Sequence, residues 1–127
     1  MKTTLDSIND NTLKKRYINT LGFVKKHTPI KSKILDLGKV NTLSKILIEE
    51  GYKVKNTNGD DLDSDYHLYT KDNYDYLTSF EIFEHMLSPY NILKNTKIKK
   101  LIASVPLRLW FANAYWNEQD DWDKHYH

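Results

Sequence analysis

Residues 33–48 have the sequence Lys33-Ile34-Leu35-Asp36-Leu37-Gly38-Lys39-Val40-Asn41-Thr42-Leu43-Ser44-Lys45-Ile46-Leu47-Ile48. An apolar run ends in an acidic residue and a glycine, and a short polar segment then leads into an amphipathic helix. α/β proteins build nucleotide cradles from such a unit, because glycine lets the backbone approach a ligand and the helix N-terminus supplies unpaired N–H groups. An ordinary β-turn-α unit has the same pattern, since one glycine is less specific than Gly-x-Gly-x-x-Gly.

The composition indicates one small domain of a cytoplasmic protein. The 127 residues are enough for a core but are few for a sheet with helices on both faces. The absence of cysteine excludes disulfides and thiolate metal sites. The sequence contains no apolar run of membrane-spanning length and no signal-peptide pattern, so we expect no membrane association.

The charge is unevenly distributed along the chain. Residues 1–60 contain twelve Lys/Arg and six Asp/Glu, whereas residues 61–127 contain seven and eleven, which gives +6 and −4 within a net charge of +2. Helix faces rich in lysine are usually solvated, so this distribution alone does not predict a nucleic-acid partner.

Hydrophobic periodicity and turn residues predict alternating helices and strands. Asp10 or Ser7 can cap the first helix, and Asn41, Thr42 or Ser44 the second. The sequence predicts helices within 1–28, over 41–50 and from Ser88-Pro89, the last with Tyr90, Ile92 and Leu93 inward. It predicts strands at 33–38, 52–55, 74–80 and 99–106. The strand at 52–55 alternates with lysine and should lie near a sheet edge, whereas 99–106 reads as the cleanest buried strand. The pattern predicts an α/β fold with about four or five mostly parallel strands.

Two metal sites were considered, and neither is expected. The acidic segment with aspartates at 60, 61, 63 and 65 lacks the glycine and the terminal glutamate of a calcium loop. His85 could join His125, His127 and Asp121, but nothing in the sequence fixes the distance between these groups.

Three segments resemble the class I S-adenosylmethionine-dependent methyltransferases. Ile34 to Gly38 is similar to the first motif of that family, Tyr74 to Met86 to its strand and turn with Glu-x-x-Glu-His, and Leu101 to Pro106 to its "lliSvP" strand. The resemblance covers about residues 30–106. It implies a reduced Rossmann-like methyltransferase domain with a leading helix at 1–28, a cofactor-binding core at 30–106 and an aromatic acceptor-side or lid segment at 107–127.

The resemblance implies S-adenosylmethionine as cofactor, bound partly by the first loop. Asp36 would organise the loop and water around the amino acid end of the cofactor, and Gly38 would let the backbone approach it. Family members have further glycines where Val40 and Thr42 stand here, although Asn41 tolerates positive φ.

The resemblance also implies an acidic residue for the ribose hydroxyls after the second strand. Counting from Gly51 leads to Asn58, with Asp60 and Asp61 just beyond, and Asp61 is favoured. An alternative alignment makes Gly59 to Leu62 an adenine-side segment, and a solvated acidic turn would explain the same residues.

Only 62–73 stand where the family has a helix, a strand and a loop, and the closing β-hairpin of the family would begin where the sequence ends.

The remaining site residues follow the third strand. Phe80 and Glu81 would lie beside the sulfonium, and His85, with Glu84, is the candidate base; capping of the turn would also explain Glu84 and His85. The wall of the acceptor pocket, or a lid or core cluster, would be formed by Trp110, Tyr115 and Trp116.

The resemblance therefore implies a methyltransferase that acts on a small molecule. The alternative is a catalytically weak relative that serves as a binding or interaction module, which the missing glycines and the shortened segment favour. We also expect a homodimer, because the aromatic residues of 107–127 lack closing strands to cover them.

Overall fold

The computed structural model describes residues 2–71 and 73–105, which form three α-helices, four strands and three single turns of 3-10 helix. The helices are α1 (Asn11–His27), α2 (Thr42–Glu49) and α3 (Pro89–Asn95), and the strands are β1 (Lys33–Asp36), β2 (Lys53–Asn56), β3 (Tyr76–Phe80) and β4 (Leu101–Ser104). The 3-10 turns are Leu5–Ser7, Tyr66–Leu68 and Phe83–His85. No helix in these described ranges is long and apolar enough to cross a membrane.

The four strands form one sheet in the order β2-β1-β3-β4, and every neighbouring pair is parallel. This confirms the α/β, Rossmann-like expectation and the edge position of β2. The first crossover leads from β1 outward to β2, and the later one leads from β3 outward to β4. The strand order therefore reverses between β1 and β3, and open α/β sheets bind ligands beside the carboxyl ends of the strands at such a point.

The sheet separates two apolar clusters. One contains Val24 of α1, Leu47 of α2 and Ile34 of β1; the other contains Leu35 of β1 and Ile92 of α3. Successive β1 residues enter opposite clusters because strand side chains alternate between faces. The protein is thus a three-layer α/β/α structure.

Two details of the sequence prediction are wrong. The cleanest buried strand is β3, in which Tyr76 to Ser79 are all buried, whereas Leu101 of β4 is 44% exposed. β3 lies between β1 and β4 with a layer on each face, whereas β4 ends the described sheet and is covered less. In α3, Ile92 is buried in the cluster that contains Leu35, whereas Tyr90 is 65% exposed and Leu93 37%, and neither belongs to that cluster.

Candidate functional site

A cavity of about 190 Å³ lies at the carboxyl ends of β3 and β4, beside the switch point. Helix α1 forms one wall, the start of α2 the second and the sheet the third. The cavity is lined by Arg16, Tyr17, Thr20, Asn41, Leu43, Phe80, Glu81 and Ser104. The predicted residues Asn41, Phe80 and Glu81 are thus brought together.

Glu81 has an unusual backbone conformation at this cavity. Its φ is 57°, in the left-handed region, which costs a residue with a Cβ roughly 1–2 kcal/mol. Its N–H donates to the Ser104 carbonyl at 2.8 Å, and one carboxylate oxygen lies 3.6 Å from a guanidinium nitrogen of Arg16. This conformation turns the chain out of β3 and places the Glu81 carboxylate beside the Arg16 guanidinium at the cavity.

The loop after β1 needs only one glycine. Gly38 has φ 108° and donates its N–H to Thr57 Oγ1 at 2.8 Å. The residues that follow it, 39–42, all have negative φ. Asn41 does not use its tolerance of positive φ (its φ is −140°) but caps α2, accepting from Ser44 N–H at 3.0 Å. Val40 is exposed. The loop can therefore turn without the additional glycines of the family.

Asp36 lies beneath this loop at the centre of a buried polar network. Its Oδ1 accepts from Thr78 Oγ1 at 2.7 Å, and its Oδ2 accepts from Asn56 Nδ2 at 2.9 Å and from Ser44 Oγ at 3.3 Å. Asn56 and Thr78 are the register partners of Asp36 on the two neighbouring strands. The side chain is 1% exposed, so it fixes β1, β2, β3 and α2 relative to one another.

Burial raises the pKa of Asp36 above its ordinary 3.8, because the charged form loses its hydration. The three hydrogen bonds lower the pKa and only partly offset this effect. Asp36 does not line the cavity beside Glu81, and its role toward the amino acid end of the cofactor stays a prediction.

The polar residues after β2 form a small cluster of their own. Asp60 accepts a hydrogen bond from the Tyr69 hydroxyl, which lowers the pKa of this carboxyl group, and the Asn58 N–H lies 3.2 Å from the Tyr69 oxygen. Asp61 is exposed and accepts from Asp63 N–H at 3.0 Å. None of these side chains lines the cavity next to Glu81.

Lys39 lies between the loops that follow β1 and β2. A Cβ added at Gly59 would lie 2.2 Å from Lys39 Cε, so the lysine stem packs directly on the Gly59 backbone. The lysine stem therefore joins the loop after β1 to the loop after β2, next in sequence to Asp60.

Glu84 and His85 lie in the 3-10 turn that follows Glu81, outside the lining of the cavity. His85 Nε2 is 3.6 Å from Glu84 Oε1, and the imidazole is 78% exposed. Glu84 Oε2 is buried without a hydrogen-bond partner among the described residues. The role of either residue as a base stays a prediction.

The predicted pocket-wall residues Trp110, Tyr115 and Trp116 lie outside the described residues. So do Asp121, His125 and His127, which belong to a metal site that the sequence did not lead us to expect. Within 2–71 and 73–105, no three His, Asp or Glu residues are grouped to hold a metal ion.

Sequence reasoning missed Arg16 and the partners of Asp36. The periodicity of the leading helix marks only its buried positions, and Arg16 lies beside that stripe. Thr78 and Ser79 could have been noticed as two consecutive hydroxyl residues inside an otherwise hydrophobic strand. Comparisons of the chain with protein-family models, curated proteins and solved structures found no match.

Proposed function

We propose that this protein is an S-adenosylmethionine-dependent methyltransferase that acts on a small molecule. The observation that carries the proposal is Glu81, which is held in a strained conformation at the carboxyl end of β3 and lies beside Arg16 at the cavity. Strain of this kind persists where the surrounding structure enforces it, and it is concentrated at functional sites.

The charges around the cavity complement those of the cofactor. The amino acid end of S-adenosylmethionine carries a carboxylate, which is opposite in charge to Arg16, and an ammonium group, which is opposite in charge to Glu81. Asn41 and Ser104 add neutral hydrogen-bonding groups, and the ring of Phe80 suits a sulfonium cation. The cavity is small, so it would take this end of the cofactor, and the nucleoside would extend toward Asp60.

The bound cofactor would supply an electrophilic methyl group. The part of this chain in the reaction would be chiefly positioning, because methyl transfer is an in-line displacement. A base is needed only for an acceptor that must lose a proton, and His85 with Glu84 is the candidate pair.

A second candidate function is ligand binding without transfer, and Lys39 is the observation that favours it. Its stem occupies the space over Gly59 that the nucleoside would cross. Under this alternative the chain binds S-adenosylhomocysteine or a related nucleoside weakly and transfers no methyl group.

Calorimetric titration with S-adenosylmethionine and S-adenosylhomocysteine tests both candidates. Glu81→Gln should weaken binding about tenfold or more, because it removes a charge-assisted contact of about 1.5–3 kcal/mol. Glu49→Gln is the matched control, because Glu49 ends α2 away from the cavity and accepts a hydrogen bond from Thr4. This variant should bind the ligand as tightly as the wild type does. Lys39→Ala should strengthen binding.

Absence of heat and of a thermal shift at millimolar ligand would overturn the methyltransferase proposal. Binding that Glu81→Gln and Glu49→Gln change equally would place the ligand elsewhere. Binding without methyl transfer to any member of a panel of small nucleophiles would favour the second candidate.

A further inference from the structure

We propose that the opposite, amino-terminal end of the sheet binds single-stranded nucleic acid through its phosphodiester backbone. Two open concavities of about 420 Å³ each lie at this end and share Tyr74. One is lined by Lys33, Lys53, Val54, Lys55, Asn73 and Tyr74, and the other by Pro29, Tyr74, Asp75, Tyr76, Lys97, Lys99 and Lys100. The proposal does not depend on methyl transfer.

The fold gathers these lysines from three separate segments of the chain. Lys33 and Lys53 are register partners at the starts of β1 and β2, so their side chains leave the same face of the sheet. Lys99 and Lys100 immediately precede β4. In a parallel sheet all strands begin at one end, and lysines placed before or at the start of a strand are therefore brought together.

The first concavity is open because little covers β2 on this face. Val54 faces the layer of α1 and α2, whereas Lys53 and Lys55 point to the other face and are exposed. Between β2 and β3, the described residues form one 3-10 turn, Tyr66–Leu68, where doubly wound folds place a helix. Lysine at these positions keeps the uncovered face soluble and positively charged.

The charge at this end is strongly one-sided. Among the described lining residues, Asp75 is the single carboxylate, and its Oδ2 already accepts from the backbone N–H of Lys33 at 2.9 Å. Lysine ammonium groups on flexible stems act as point charges toward phosphate. Phosphate neutralisation of this kind supplies most sequence-independent affinity for nucleic acid.

Tyr74 favours a single strand over other polyanions. It is half-buried between the two concavities, so a chain running from one to the other would pass it. Unpaired bases stack on such aromatic side chains between backbone contacts, whereas an acidic peptide, a lipid surface or a sulfated sugar has no base to stack.

Fluorescence anisotropy of the full chain with a labelled single-stranded oligonucleotide of mixed sequence tests the proposal. The variant Lys33→Gln/Lys53→Gln/Lys99→Gln should bind at least tenfold more weakly than the control Lys15→Gln/Lys26→Gln/Lys45→Gln, which removes the same charge from exposed helix positions. The slope of log K against log salt should become shallower by about 2, because about 0.7 is lost per phosphate contact on a single strand. Tyr74→Leu should weaken binding about fivefold or more, and Tyr74→Phe should not.

Equal losses in the two lysine variants would reduce the effect to net charge and overturn the proposal, as would undetectable binding by the wild type at low salt. Heparin or anionic vesicles that bind as tightly as the oligonucleotide, together with no effect of Tyr74→Leu, would show a general polyanion surface and also overturn it. The lysines are exposed, so the triple variant should keep the circular dichroism and melting temperature of the wild type, and its result stands even if Tyr74→Leu unfolds.

Discussion

At the scale of single residues, Asp36 shows how one side chain can connect most of the fold. A buried carboxylate is costly unless its oxygens are hydrogen-bonded. The register supplies Asn56 and Thr78, and α2 supplies Ser44. The network holds the strand from which the Gly38 loop starts.

Asp36→Asn should change how stability depends on pH. Because burial raises the pKa above 3.8, the folded state binds the proton more tightly than the unfolded chain. The resulting stabilisation is complete below pH 3.8 and is lost as the pH rises through the folded-state pKa. An asparagine does not titrate, and it can accept from Asn56 and donate to Thr78.

Urea unfolding from below pH 3.8 to neutral pH measures this effect. The free energy of unfolding of the wild type minus that of Asp36→Asn should fall as the pH rises. A constant difference, or one that grows with pH, would show that Asp36 is not buried as described.

Gly38→Ala and Gly22→Ala should have opposite effects on thermal stability. At Gly38, φ is 108° and an added Cβ would lie 3.2 Å from Ile82 Cδ1, so we expect a loss of roughly 1–2 kcal/mol. Gly22 lies within α1 with no atom within 4 Å of its added Cβ, so alanine should add about 0.5–1 kcal/mol. Calorimetric melting compares the two variants, and a stabilised Gly38→Ala would contradict the strained loop.

At the scale of elements, Asp63 connects the acidic segment to the start of α3. Ser88 precedes α3 without a capping hydrogen bond from its own side chain. Asp63 instead accepts from the backbone N–H groups of Leu87 at 2.8 Å and Ser88 at 2.6 Å. A carboxylate distant in sequence thus anchors the two residues that precede α3, although it does not accept from the amides of the first helical turn.

Asp63→Ala should destabilise the protein by about 1–3 kcal/mol, because it removes two hydrogen bonds between a carboxylate and backbone amides. It should also speed hydrogen exchange at the amides of Leu87 and Ser88. Asp65→Ala is the matched control, because it removes a nearby carboxylate that does not bond these amides. Equal exchange in the two variants would show that the contact with α3 contributes nothing.

At the scale of the whole molecule, the two ends of the sheet differ in charge and in proposed role. Lysines surround the amino ends of the strands, whereas Asp60, Asp61, Glu81 and Glu84 follow the carboxyl ends. Strands of four or five residues separate these ends by about 15 Å, which exceeds the screening length of about 8–10 Å at moderate salt. The homodimer expected from 107–127 stays a prediction, since those residues lie outside the described part.

The two ends should therefore bind independently. Glu81→Gln should leave oligonucleotide affinity within about twofold of the wild type, and Lys33→Gln/Lys53→Gln/Lys99→Gln should do the same for S-adenosylhomocysteine. The two titrations check this, each repeated with the other ligand at saturation. Mutual competition would mean that one region binds both ligands.

The sequence alone was sufficient for most local structure. Asp10 and Asn41, each one of the cap residues that the sequence offered, cap α1 and α2, and Gly51 adopts the positive φ typical of a residue that ends a helix. These features depend on neighbours within a few residues, so side-chain chemistry and spacing determine them. The parallel α/β class followed from the alternation of helix and strand.

The contacts that define the candidate site were decided only by tertiary structure. Arg16 precedes Glu81 by 65 positions, and Asp36 meets Thr78 through strand register, neither of which has a local sequence signal. The same holds for the lysines, which are scattered along the chain and which the sequence alone indicates to be solvated. Only the parallel sheet, in which all strands begin at one end, brings them together. The sequence therefore determined the strand–turn–helix unit at 33–48, and folding determined what surrounds it, because packing joins residues that spacing keeps apart.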